Sequence, residues 1–287
     1  MSEPRTLAPP ERRMATVSGI ERLGAYDLIT ALDRWGPRDP RPGQFYMLAA
    51  AERWGGGGDE RPYLPRAFSY ARACVEDDGV ALDFLLEAVG PGTQRLSELG
   101  PDDGLALVGP LGIGFRPPAD GTRALLVGGG IGAAPLLCWQ EELLGIGRAP
   151  SGGGRDESPP GVLLGFRTAA HAQAAALFAG QPQVVTDDGS VGRRALVTEL
   201  LAGELDDDAN ATVYACGPPA MLEAVRALCA ERDAPAQLAM ESGMACGFGA
   251  CFGCVVPTRN GYVRLCVDGP VMDAAELETA MVAGAGH

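Results

Sequence analysis

The sequence contains no lysine; all 23 of its basic residues are arginine. A Walker-type phosphate loop and Schiff-base catalysis are thereby excluded, since both need an amine. Codon bias is enough to explain the absence. Histidine is almost as scarce, with only His171 and the terminal His287. That leaves little for His-based triads, His-ligated zinc or a Rieske centre. Positive charge is also in deficit, with a formal net charge of −14. Nucleic acid is therefore not an expected partner, because phosphate binding needs a cationic face. No run reaches the ~18 apolar residues of a membrane span, so no membrane association is expected. The polar, Pro/Arg-rich N-terminus lacks the apolar core of a secretory signal. The expectation is a soluble, cytoplasmic protein. There, clustered cysteines read as metal ligands or redox groups rather than disulfides.

What is present is a chain of 287 residues, 46% hydrophobic and 21% charged. It is long enough for two domains and a small third. The first ~118 residues read as short strands punctuated by Gly and Pro, the pattern of an antiparallel β-barrel. They are ATVSGIERL, AYDLITAL, GQFYMLAA, RAFSYARAC, VALDFLLEAV and GLALVGPLG. WGGGGDERP (Trp54 to Pro62) reads as a loop, and SGGGRDESPP (Ser151 to Pro160) as a polar linker. After Asp120, strands alternate with helical patterns, which predicts a parallel α/β sheet. From about Ala234 the texture becomes rich in Cys and Gly. The expected division is a barrel over 1–118, an α/β domain over 119–233 and a small C-terminal lobe over 234–287.

Half of the eight cysteines sit in that last segment. Cys246, Cys251, Cys254 and Cys266 have the spacing C-x4-C-x2-C, then eleven residues, then Cys. The first three reproduce plant-type [2Fe–2S] ligand spacing. Gly247, Gly249 and Gly253 would let the chain wrap closely and reach positive φ, aiming N–H groups at sulfur. Arg259-Asn260-Gly261 marks a hairpin between VVPT and YVRL. Pairing about it is expected to set Val255 opposite Cys266, putting Cys254 and Cys266 on neighbouring rungs. A zinc site remains an alternative, although zinc knuckles come as two C-x2-C pairs and only one is present. Disulfides or inert thiols are the other alternative. Cys74, Cys138 and Cys229 read as core thiols.

Two strand-to-helix turns carry a second theme. In LLVGGGIGAAP, the glycines Gly128, Gly129, Gly130 and Gly132 would admit a pyrophosphate to a helix N-terminus. The acidic residue that usually follows such a loop is missing. Arg167 stands at the end of the next strand, where an arginine can pair with a 2′-phosphate, so NAD and NADP both stay open. In YACGPPAML, Cys216, Gly217 and Pro218 lie where open α/β sheets bind ligands. Cys216 is the candidate catalytic residue, as a neighbour of the nicotinamide.

The order of RAFS, Gly92-Thr93, GPLGIGF, LLVGGGIGAAP and YACGPPAML resembles the ferredoxin reductase superfamily. ESGMACGFGACFGC narrows the resemblance to the electron-transfer subunits of NAD-linked dihydroorotate dehydrogenases, over nearly the full chain. The resemblance implies FAD, [2Fe–2S] and NAD as cofactors. It implies that Arg66 neutralises the FAD pyrophosphate, that Ser69 bonds the flavin ring, and that Ala67 and Phe68 lie beside them. It implies that Leu85, Leu86 and Glu87 line the flavin with backbone, and that Gly92 and Thr93 meet the phosphates. Ala67 departs from the family, which has Pro there. The implied partner is an FMN-containing catalytic subunit that oxidises dihydroorotate in de novo pyrimidine (UMP) biosynthesis, joined in a heterotetramer. Sibling reductases serving a hydrogenase, sulfite reductase or ferredoxin:NADP oxidoreductase share these motifs. A non-catalytic metal-binding module is an alternative of a different class.

Overall fold

The computed structural model describes residues 11–55, 62–146 and 159–282. Most of the glycine patch after Trp54, nearly all of the polar linker and His287 lie outside them.

The first sheet holds β1 (Arg12–Leu23), β2 (Tyr26–Asp33), β3 (Phe45–Ala50), β4 (Arg66–Ser69), β5 (Arg72–Glu76), β6 (Gly79–Leu86) and β7 (Gly104–Leu111). Their order is β4-β3-β7-β1-β2-β6-β5, and every pairing is antiparallel. The two outermost strands are consecutive in the chain, so the sheet curls until its edges meet. RAFSYARAC, expected as one strand, is thus two. The chain turns at Tyr70 and Ala71, both fully buried, and the Ala71 N–H crosses to the Asp83 carbonyl of β6 at 2.7 Å. Tyr46, Leu48, Leu82, Phe84, Leu105 and Leu107 fill the interior. Helix α1 (Pro91–Ser97) precedes β7.

The second sheet is built from β8 (Arg123–Gly129), β9 (Gly161–Phe166), β10 (Gln183–Thr186), β11 (Arg193–Arg194), β12 (Ala211–Cys216), β13 (Ala236–Ala239) and, near the C-terminus, β16 (Val271–Asp273). Its order is β11-β10-β9-β8-β12-β13-β16, parallel except for β16. The sheet therefore runs past the boundary expected near 233. Ala236–Ala239 is buried at every position, so no alternation of buried and exposed residues marks this short segment as a strand. The helices are α2 (Ala133–Leu144), α3 (Ala169–Ala172), α4 (Val197–Asp207), α5 (Pro219–Glu231) and α6 (Leu265–Asp268). AHAQAAALF, expected as one helix, is the single turn α3 followed by a 3₁₀ segment, Gln173–Leu177.

Helix α2 explains how the two sheets meet. Ala133 to Gln140 are all buried, the mark of a helix enclosed on every side. Leu136 and Leu137 pack with Leu126 and Leu164 of the parallel sheet. Cys138 packs with Tyr46, Tyr70 and Phe84 of the barrel. Arg72 of β5 donates to Glu141 at 2.6 Å and to the Leu177 carbonyl at 3.0 Å, which ties the barrel to the same layer.

The remaining sheet is a hairpin of β14 (Val255–Thr258) and β15 (Gly261–Arg264). Its register sets Val255 opposite Arg264, two residues from the expected pairing with Cys266. Thr258 pairs with Gly261 and only Arg259 and Asn260 form the loop. The Thr258 hydroxyl accepts the Asn260 N–H at 3.3 Å and donates to the Gly261 carbonyl at 2.8 Å, pinning this tighter turn. Cys266 then falls in the first turn of α6 rather than on a strand.

Candidate functional site

The parallel sheet reverses its strand order between β8 and β12, and such a reversal opens a crevice at the strands' carboxyl ends. Gly128 and Cys216 are register partners there, and Cys216 is also opposite Ala239 of β13. The glycine turn Gly128 to Gly132 and the Cys216-Gly217-Pro218 turn therefore stand side by side. The approach demands glycine. A Cβ on Gly132 would sit 2.5 Å from the Cys216 carbonyl carbon and 2.6 Å from the Gly217 nitrogen. Burial pushes the Cys216 thiol well up, and the Glu241 carboxylate pushes it further. A thiol whose proton is held by burial in this way is not poised as a nucleophile.

On the barrel, Arg66 opens β4 and lies against α1, where a Cβ on Gly92 would meet its Nε at 2.5 Å. Its guanidinium donates to the Leu64 carbonyl at 2.6 Å and lies 5.8 Å from the Trp54 ring centroid. Among the described residues no carboxylate pairs with it. A half-buried cation with no counter-ion among the described residues, beside a helix start, fits a diphosphate. Ser69 ends β4 opposite Phe45, and Phe68 packs on the barrel core, while Ala67 is exposed. The Thr93 hydroxyl is occupied by the N–H groups of Val89 and Gly90, at 2.9 and 3.0 Å. Leu86 points into the barrel interior, and Leu85 toward α2.

Glu87 does more than present backbone. Its carboxylate binds the Arg167 guanidinium and lies 3.3 Å from His171 Nε2. Arg167 also contacts His171 Nε2 at 3.0 Å. The arginine considered for a 2′-phosphate is engaged across the junction between the two sheets. Tyr26 stacks edge-on to His171 at 5.5 Å, closing this group.

The four cysteines are arranged as two pairs. The Cys251 N–H donates to Cys246 Sγ at 3.5 Å, and the Cys266 N–H to Cys254 Sγ at 3.5 Å. The two thiols of each pair are within hydrogen-bonding reach of one another. Burial disfavours the Cys246 thiolate, but the backbone N–H groups of Cys251, Phe248 and Ala250 outweigh it and bring the thiol down to about 7. Burial and the neighbouring Cys254 push Cys266 up to about 12. Among the described residues, no three His, Cys, Asp or Glu side chains gather as a single-ion site. Two pairs suit a two-iron cluster, in which each iron takes two thiolates. No disulfide joins any of the described cysteines; Cys138 and Cys229 are buried as expected, but Cys74, on edge strand β5, is exposed rather than a core thiol.

Gly247 and Gly249 take φ of +80° and +86°, as the spacing predicts, but Gly253 does not. Phe252 takes that strained place instead, at φ +58°. Gly247 also sets the loop against the barrel, since a Cβ there would fall 2.8 Å from Met47 Sδ. Met47 and Leu111 of the barrel share one apolar cluster with Cys254 and Cys266. The cysteine loop and the Arg66–Ser69 strand thus flank β3.

Sequence reasoning missed Glu241, two residues beyond β13. Burial raises its carboxyl to about 7. No spacing rule marks a single glutamate between a strand and a cysteine motif.

Residues 241–278 match the iron–sulfur cluster binding domain of dihydroorotate dehydrogenase B. The electron transfer subunit of dihydroorotate dehydrogenase B (NAD(+)) from Clostridium acetobutylicum is 33% identical over 258 residues, 90% of this chain and 94% of that protein. This chain belongs to the dihydroorotate dehydrogenase B electron transfer subunit family. The Geobacillus kaustophilus subunit of the family is 37% identical, across 83% of this chain and 86% of its own length. Fold likeness extends further. The NADH-dependent reduced ferredoxin-NADP oxidoreductase structure superposes with a TM-score of 0.71 at 22% identity, covering 92% of this chain and 90% of that one. The ferredoxin reductase of carbazole 1,9a-dioxygenase gives 0.62 at 21% identity, covering 79% and 67%. The matched iron–sulfur domain thus spans the cysteine loop, the hairpin, α6 and β16, and the barrel and α/β sheet share their fold with those two structures.

Proposed function

We propose that this chain is the electron-transfer subunit of an NAD-linked dihydroorotate dehydrogenase. It takes electrons that an FMN-bearing catalytic partner removes from dihydroorotate and delivers them to NAD⁺. The observation that carries this is the pairing of the four thiols beside barrel strand β3, close to the crevice of a reductase scaffold. The organisation proposed is a flavin barrel over 1–118, a nicotinamide-binding α/β domain over 119–233 whose sheet is completed by β13 and β16, and a cluster lobe carried between those two strands within 234–287. The complex is proposed to be a cytoplasmic heterotetramer. No helix among the described residues is long and apolar enough to cross a membrane.

When bound, the [2Fe–2S] cluster carries single electrons, and FAD converts between single electrons and hydride. The chain's own residues do the rest. Cys246 with Cys251, and Cys254 with Cys266, would hold one iron each. Arg66 would neutralise the FAD diphosphate, with Gly92 and Thr93 beside it. Ser69 and the Leu85-Leu86-Glu87 backbone would fix the ring plane, with Ala67 and Phe68 along the same strand. Gly128, Gly129, Gly130 and Gly132 would leave room for the NAD pyrophosphate at the start of α2. Cys216, Gly217 and Pro218 would form the wall against which the nicotinamide lies. Little proton chemistry is asked of the chain, which suits its near lack of histidine.

Anaerobic reduction of the isolated chain by NADH should bleach a bound flavin and develop the EPR signal of a reduced [2Fe–2S] centre. A chain that shows neither refutes the reading. Co-purification with a dihydroorotate-oxidising FMN protein identifies the partner.

A further inference from the structure

Arginine is sparse around the cysteine loop. From Glu241 to Val282 the sequence has only Arg259, at the exposed tip of the hairpin, and Arg264. Arg264 is half-buried and built into the loop. Its Nη1 donates to the Gly249 carbonyl at 3.0 Å, midway between Cys246 and Cys251. Its guanidinium carbon lies 5.2 Å from the ring centroid of Phe252, the residue held at φ +58° between Cys251 and Cys254. Its backbone N–H donates to the Asp268 carboxylate at 3.0 Å, two residues beyond Cys266. Arg264 thus reaches both stretches of chain between the first three cysteines, and its backbone is fixed beside the fourth.

We infer that Arg264 is a positioning residue for the electron-accepting centre: it clamps the ligand loop and makes the added electron easier to accept. The inference rests on the four-cysteine ligand reading above. Four thiolates, two sulfides and two ferric ions sum to a charge of −2, and one electron from the partner makes it −3 with no bond made or broken. Cluster potentials respond to net charge and hydrogen bonding around the sulfurs. A fixed cation stabilises the −3 form more than the −2 form. The Asp268 carboxylate acts in the opposite sense and offsets part of this. The planar fork of arginine also matters, since it donates to a carbonyl while stacking on a ring, which an ammonium cannot do.

The test is an EPR-monitored redox titration of the purified chain, with iron and acid-labile sulfide measured on the same samples. Arg264→Gln should lower the midpoint, changing the reduced-to-oxidised ratio at fixed ambient potential about three- to tenfold, or roughly 30–60 mV for one electron. Arg264→Lys should recover part of that shift. Asp268→Asn, which keeps an acceptor for the Arg264 N–H, should move the midpoint the other way. A wild-type chain lacking two irons and two sulfides overturns the ligand reading beneath. Full clusters in Arg264→Gln and Asp268→Asn with midpoints equal to wild type overturn the role of Arg264 alone. If Arg264→Gln fails to hold a cluster, Arg264→Lys decides: a loaded chain with a midpoint below wild type supports the inference, and a midpoint equal to wild type refutes it.

Discussion

Replacing Gly132 by alanine tests the crevice at its tightest point. The added methyl would lie 2.5 Å from the Cys216 carbonyl carbon and 2.6 Å from the Gly217 nitrogen. Both are backbone atoms, so no side chain can swing aside. Relief requires the start of α2 and the end of β12 to separate by roughly 1 Å, judged from ordinary carbon contact distances. Overpacking of this kind costs about 1–3 kcal/mol. For a unit of this size that corresponds to a Tm lower by about 3–10 °C. The effect on function should exceed the effect on stability. The displaced atoms are those proposed to position the nicotinamide, and a shift near 1 Å at a reacting centre can cost about 10²-fold in rate. Differential scanning calorimetry gives the first quantity. Stopped-flow reduction of the bound flavin by NADH gives the second. A Gly132→Ala chain that melts with wild type and is reduced by NADH within twofold of its rate would refute the claim that this contact shapes the crevice (twofold is about 0.4 kcal/mol).

Other outcomes follow from single residues. The Glu241 carboxyl is raised by burial from 4.5 to about 7, so the fold binds its proton more tightly than the unfolded chain does. Its contribution is then full below pH 4.5 and is lost as pH rises through 7, at most about 3 kcal/mol. Glu241→Gln should match wild type at pH 5 and melt higher at pH 8; parallel melting curves across that range would contradict this. Cys254→Ser and Cys266→Ser should each abolish the visible absorption and EPR signal of the cluster, and a fully loaded Cys266→Ser chain would remove that residue from the ligand set. Because Glu87 already engages Arg167, Arg167→Ala should change the NADH-to-NADPH preference by less than about threefold (~0.7 kcal/mol). A tenfold loss of NADPH reactivity in a flavin-reduction assay would instead place Arg167 on a 2′-phosphate.

The sequence made the layer architecture legible because barrel strands and buried parallel strands differ in pattern. The barrel runs carry turn residues at short intervals, whereas β8, β9 and β12 are short apolar blocks between helices. Legibility failed where tertiary contact overrode local pattern. Tyr70 and Ala71 look like continuing strand, yet both are buried in the corner that joins the sheet's two edges. The four-residue β13 is buried at every position, Gln237 included, and was hidden by the cysteine segment behind it. The hairpin register was set by the Thr258 hydroxyl, which spacing alone does not weigh. At the site, the cysteine spacing was informative because ligand geometry demands it. The Glu87, Arg167 and His171 group was not, because it joins residues 80 and more apart along the chain.

The strand β16 has a consequence for maturation. The chain leaves the α/β sheet at Ala239, makes its whole excursion through the four cysteines, and rejoins at Val271 on the same rung, since Ala239 and Val271 are register partners. The cysteine segment is a clasp closed on a neighbouring strand rather than a module on a tether. The same closure links iron supply to integrity. A chain that has not loaded its cluster would lack the thiolate ties across the clasp, and if β16 lets go, the bare edge of β13 is a template for pairing with other chains. Iron starvation would then show itself as loss of the protein by aggregation and proteolysis, ahead of any accumulation of inactive subunit.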